Sequence, residues 1–98
     1  MKQKNQLART IYHCEHKHKP SDCFGKNAAK KKLWIQAVKV AEKSDIKVRE
    51  FVISPLEHRI FLILEAPSFE SVEHVFGSLK TLGEMSITPV LDGSFFEL

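Results

Sequence analysis

Ile46-Lys47-Val48-Arg49-Glu50-Phe51-Val52-Ile53, then Ser54-Pro55-Leu56-Glu57, then His58-Arg59-Ile60-Phe61-Leu62-Ile63-Leu64-Glu65: this stretch decides the fold. Apolar, β-branched and aromatic residues fill both flanks, and Pro55 presets the backbone for a compact turn between them. Two strands joined in this way are most simply an antiparallel hairpin. In the second strand, His58 to Glu65, the centre from Ile60 to Leu64 is apolar at every position. Alternate side chains point to opposite faces, so that run predicts burial on both sides of a sheet. One layer of helices covers only one side.

Upstream of the hairpin, Leu33, Trp34, Ala37, Val38 and Ala41 recur at the helical period and leave Lys31, Gln36, Lys39 and Lys43 outward. Pro20, Ser21, Asp22 and Gly25 supply turn chemistry before this helix, Asn27 stands as its N-cap, and it is predicted to run to about Ser44. Leu7 to about His18 carries no helical stripe and reads as a first strand. Downstream, Pro67-Ser68 opens a second helix with Ser68 as its cap. Phe69, Val72, Val75, Phe76 and Leu79 keep the period until Gly83 ends it. Met85 to Leu91 makes a fourth strand. The predicted order is β-α-β-β-α-β, a ferredoxin-like α+β fold with a four-stranded antiparallel sheet and both helices on one face. Residues 7–98 are expected to form this single domain, with 1–6 as a disordered N-terminus.

In this arrangement the helix-free face is wetted, used for a ligand or covered by another subunit. The apolar third strand, with Ile87 and Leu91 in the fourth, favours pairing of two sheets in a homodimer. The tail Phe95-Phe96-Glu97-Leu98 is apolar enough to pack on that second copy.

With 98 residues, 43% hydrophobic and 28% charged, the chain has the balance of an ordinary globular domain rather than a disordered one. The net charge of +3 is a mild basic bias whose only dense run is Lys30-Lys31-Lys32, which reads as a solvated helix start before it reads as a nucleic-acid patch. Met1 to Gln6 is polar, with no apolar core of a secretory signal, and no window approaches a membrane span. A cytoplasmic protein without membrane partners is the expectation. There the two cysteines, Cys14 and Cys23, would stay as thiols rather than pair.

Chemistry gathers between Tyr12 and Cys23, where the chain reads Tyr-His-Cys-Glu-His-Lys-His-Lys-Pro-Ser-Asp-Cys. Three of the five histidines and both cysteines lie here, and imidazole and thiolate are the side chains that hold zinc, copper, nickel and iron. Strand alternation places Tyr12, Cys14, His16 and His18 on one face and Ile11, His13, Glu15 and Lys17 on the other. His16 and His18, two residues apart, can converge on one metal, and the Pro20 turn can fold Cys23 back to complete the set. His58, from the start of the third strand, is a fourth donor ranked below these, because the first strand is expected to end at the opposite sheet edge from it. The metal expected first is zinc or copper. Against this stands a plainer expectation, that histidines alternating with Lys17 and Lys19 form a solvated strand end whose ammonium groups repel a dication. His74 reads as an ordinary helix-surface residue, and a small buried thiol is the competing description of Cys23.

Four groups of residues carry a family resemblance: His18-Lys19-Pro20-Ser21-Asp22-Cys23, Glu57-His58-Arg59-Ile60-Phe61, Glu65-Ala66 and Ile87-Thr88-Pro89-Val90. With these the chain resembles small uncharacterised ferredoxin-like proteins of the dimeric α/β-barrel superfamily, a domain of unknown function. The resemblance implies the fold and the homodimer, and it singles out His18, Cys23 and His58. Other members of that superfamily are cofactor-free enzymes, which implies an alternative in which His18 or His58 acts as general base on a small organic ligand in a cleft between sheet and helices. A purely structural or interaction domain is a further alternative. RNA-recognition domains share the strand order, but His58 to Glu65 lacks their aromatic and glycine pattern, so nucleic acid is not the expected partner. Heavy-metal-associated domains carry a Cys-x-x-Cys pair in the first loop, where this chain has Cys23 alone.

Overall fold

The protein is described by a computed structural model that covers residues 9–20 and 28–97. The expectations for residues 1–6, for the Asn27 cap and for Cys23 fall outside the described residues. Six elements follow in order: β1 (Thr10–Lys17), α1 (Ala28–Lys43), β2 (Lys47–Ser54), β3 (Arg59–Ala66), α2 (Phe69–Phe76) and β4 (Glu84–Val90). The four strands form one antiparallel sheet in the order β2-β3-β1-β4, which is the ferredoxin-like α+β arrangement.

β1 and β3 lie at the centre, so their side chains meet neighbours on both flanks as well as above. On the helix-covered face, Tyr12 and Cys14 from β1 and Ile60, Leu62, Leu64 and Ala66 from β3 are buried together with Trp34, Ala37 and Ala41 from α1 and Val72, Val75 and Phe76 from α2. The uninterrupted apolar run in β3 then resolves by alternation: Ile60, Leu62 and Leu64 are sealed in the core, whereas Phe61 and Ile63 on the other face are half-buried. Removing one of the sealed leucines, as in Leu62→Ala, falls in the class of core truncations that cost about 2–5 kcal/mol.

Two details of the helices differ from expectation. Leu33, expected in the buried stripe of α1, stands 47% exposed. The buried face centres on Trp34, Ala37 and Ala41, where two small side chains let the helix approach the sheet, and Leu33 lies about 100° round the helix from Trp34. Trp34 instead stacks on Phe51 of β2, ring centres 6.1 Å apart. The second helix starts as expected, with the Ser68 hydroxyl accepting a hydrogen bond from the Ser71 N–H at 3.1 Å. It ends earlier, at Phe76, and the chain continues as a tighter 3-10 segment over Gly77–Leu82. A three-residue period eclipses positions i and i+3. That brings Leu79 into the core and Leu82 against it, in line with Phe76.

On the helix-free face, Arg59 of β3 bridges to Glu15 of β1 at 3.1 Å, and Arg49 of β2 to Glu65 of β3 at 3.3 Å. Between these ion pairs His13 leans on Phe61, with ring centres 6.2 Å apart.

Candidate functional site

β1 delivers its side chains as alternation requires. Tyr12, Cys14, His16 and His18 turn to the helices, while His13 and Glu15 turn to the open face. The histidines are not a solvated strand end: His16 is 0% exposed and His18 7%. The polar-edge expectation is corrected because the 3-10 segment and α1 close over this end of the sheet. His16 meets the edge of Trp34, ring centres 5.1 Å apart. On its other flank lies Gly83, where a Cβ would stand 2.9 Å from the His16 Cε1 and 3.0 Å from its Nε2. A Cβ there would meet the Lys17 carbonyl oxygen more closely still, so glycine is the residue that leaves both the β1 backbone and the imidazole their space.

Burial lowers the His16 pKa, and the neighbouring His18 lowers it further, while a hydrogen bond to the Leu79 backbone pulls it the other way. The net effect favours the neutral ring, the form that ligates a metal. Cys14 is also sealed in the core. Burial pushes its thiol up to about 12, so it stays protonated and inert.

His58 requires a correction of position. The register pairs Lys17 with Arg59 and His16 with Ile60, so the end of β1 lies beside the start of β3. Antiparallel neighbours always meet in this way, and the expectation that set them at opposite edges reversed the geometry. The His18 N–H donates to the His58 carbonyl at 3.1 Å, and the two imidazoles meet edge to face with ring centres 5.4 Å apart. His18 also faces His16, at 5.9 Å between ring centres. His58 closes the hairpin turn through its N–H to the Pro55 carbonyl at 3.3 Å, with φ of 58°. That is the left-handed region, which costs a side-chain-bearing residue roughly 1–2 kcal/mol relative to the right-handed one. Its Nδ1 is buried with no hydrogen-bond partner among the described residues.

Of the four sequence candidates, the structure thus gathers His16, His18 and His58 at one end of the sheet, while Cys23 lies outside the described residues. Two imidazoles on one tetrahedral metal have ring centres roughly 5 Å apart, given zinc–nitrogen bonds of about 2 Å, so both observed separations are near that value. Among the described residues, however, no group of three or more His, Cys, Asp or Glu side chains is arranged to hold a metal ion.

A cleft of about 640 Å³ opens over this end of the sheet, with His18 and His58 in its wall. Lys19, Pro20, Lys30, the turn residues Leu56 and Glu57, and the segment from Lys80 to Glu84 complete the described lining with Lys17. His74 stays on the exposed side of α2, as expected. The sequence marked Gly83 as a helix stop and Trp34 as core, but not that both bracket His16. That contact depends on how far α1 and the 3-10 segment reach over the sheet, for which no local pattern exists. No protein-family model matches this chain, and no curated protein matches it either.

Proposed function

We propose that the protein binds a transition metal ion, zinc or copper first, at the end of the sheet through His18 and His58, with His16 and Cys23 as the remaining donors. The observation that supports this most is the meeting of His18, just after β1, with His58, just before β3, 5.4 Å apart at the ring centres. Two ligands fixed by one sheet register need little reorganisation to bind. The neutral state favoured for His16 by burial also suits a donor. Titration of tag-free, chelator-treated protein with cobalt(II) tests the reading. Saturable visible bands of a tetrahedral site are expected, and they should be lost in His18→Ala and in His58→Ala; their absence from the wild-type spectrum removes the reading.

A second reading is supported by the cleft itself. A concavity walled by His18 and His58 is what a cofactor-independent enzyme of the dimeric α/β-barrel type would need, with one imidazole taking a proton from a small organic substrate. The homodimer is proposed with it. Phe61, Ile63 and the exposed Val52 give the helix-free face an apolar centre, flanked by the Arg59–Glu15 and Arg49–Glu65 pairs. A second copy of the same face matches that pattern, apolar on apolar and charge pair beside charge pair. Phe95 and Phe96, both exposed, would extend such a contact. No described helix is long and apolar enough to cross a membrane. A cytoplasmic setting, which is part of the proposal, would keep Cys23 available as a thiolate donor.

A further inference from the structure

We infer that the open sheet face is a pH-sensitive joint between two copies of this chain, closed while His13 is neutral and released when it carries a proton. The inference rests on the homodimer proposed above and adds its regulation. Register defines what a second copy meets. On the open face β1 presents Ile11, His13, Glu15 and Lys17, and directly opposite them on β3 stand Glu65, Ile63, Phe61 and Arg59. The middle of the two central strands is therefore His13, Glu15, Phe61 and Ile63. Charges above and below His13 are already matched. Glu15 is held by Arg59 at 3.1 Å, and Glu65 by Arg49 at 3.3 Å. From β4 the neighbours of His13 are Ser86, Thr88 and Val90, none of them titratable, before Glu84 stands opposite Lys17. Asp92, beyond the end of β4, accepts from the Ser94 N–H. From β2 the one carboxylate in the same row is Glu50, on the far side of Ile63. His13 itself is half-buried and leans on Phe61, ring centres 6.2 Å apart, with no carboxylate within ion-pair distance among the described residues.

Two identical faces related by a two-fold axis meet centre to centre, whether the axis runs along the strands or across them. Each end of the face carries an arginine beside a glutamate, so in either orientation a cation finds a carboxylate opposite it. This self-complementary charge pattern is the argument for a second copy as the occupant. The centre has no such choice. There His13 and its counterpart enter one desolvated layer with Phe61 and Ile63, where a neutral imidazole packs against the phenyl ring. An imidazolium is opposed twice over, because a charge buried without a partner is costly and the two like charges lie close together. Histidine is the side chain whose ordinary titration falls between pH 5 and 8. A proton that binds the free face better than the closed one must, by linkage, pull the copies apart, and separation takes up as many as two protons. Acid therefore favours the monomer.

Sedimentation velocity over a concentration series, at about pH 7.5 and about pH 5.5 and constant ionic strength, tests the joint. The dimer dissociation constant is expected to rise about tenfold or more on acidification. His13→Gln, which leaves a neutral polar group in place, should dimerise at both pH values with less than about a threefold change. Thr88→Lys sets a permanent charge opposite His13 and should weaken the dimer at both. A wild-type dimer indifferent to pH, or an equal acid response in His13→Gln, overturns the inference and leaves the homodimer standing. A dimer that tightens in acid does the same, since a carboxylate such as Glu50 of the second copy would then receive the imidazolium. Thr88→Lys dimerising as tightly as wild type also overturns it, by showing that the centre of the face stays open. A wild-type monomer at both pH values overturns the homodimer and the inference together.

Discussion

His58 holds a left-handed backbone, with φ of 58°, at a turn position where glycine or asparagine is the easier residue, and it places an imidazole against His18. Glycine there would remove the penalty of roughly 1–2 kcal/mol while adding chain entropy of comparable size to the unfolded state. His58→Gly is therefore expected to change stability by less than about 1 kcal/mol in urea unfolding, yet to weaken cobalt binding severely. A variant that unfolds readily would show instead that the imidazole is a packing residue. Gly83 makes the opposite case. A methyl group there meets the Lys17 carbonyl oxygen first and the His16 ring within 3.0 Å, and overpacking of this kind costs about 1–3 kcal/mol. Gly83→Ala should lower the urea midpoint with an unchanged slope; a neutral result would mean that neither the Lys17 carbonyl nor the His16 ring crowds this position as described.

At the scale of elements, α1 begins against its own dipole. No acidic residue lies in its first turn, and Lys30, Lys31 and Lys32 follow Ala28 and Ala29. Cations near a helix N-terminus are unfavourable by about 0.3–1 kcal/mol each at low salt. Lys31 is exposed, so Lys31→Glu should raise the thermal midpoint, and the gain should fade as salt is added; a loss of stability would show that Lys31 has a partner in the fold. The elements themselves were legible. Alternation in β1 separated His16 and His18 from His13 and Glu15 because period two is a property of the strand alone. Ser68 announced the start of α2 because a cap needs only its own turn. The end of α2 at Phe76 was not legible, since the switch to a 3-10 segment is set by the fit of Leu79 and Leu82 to the core. The position of His58 is not legible in a local pattern for a different reason: it follows from the β1–β3 register, which joins residues more than 40 positions apart.

The whole molecule presents two ends of its chemistry on one sheet, a histidine-walled cleft at one end and an apolar open face behind it. If the open face joins two copies, a charge at its centre must separate them. Phe61→Asp lies on that face rather than in the core, and it is expected to convert a sedimenting dimer into a folded monomer. A wild-type protein that sediments as a monomer at micromolar concentration would remove the dimer from the account. The central claim is the metal site, and the most direct measurement is the metal content of the native protein, purified without an affinity tag and analysed for every first-row transition element. About one equivalent of zinc or copper per chain is expected, lost when His18 and His58 are both replaced by alanine. A wild-type protein free of transition metal that also fails to take up added zinc or copper would contradict it.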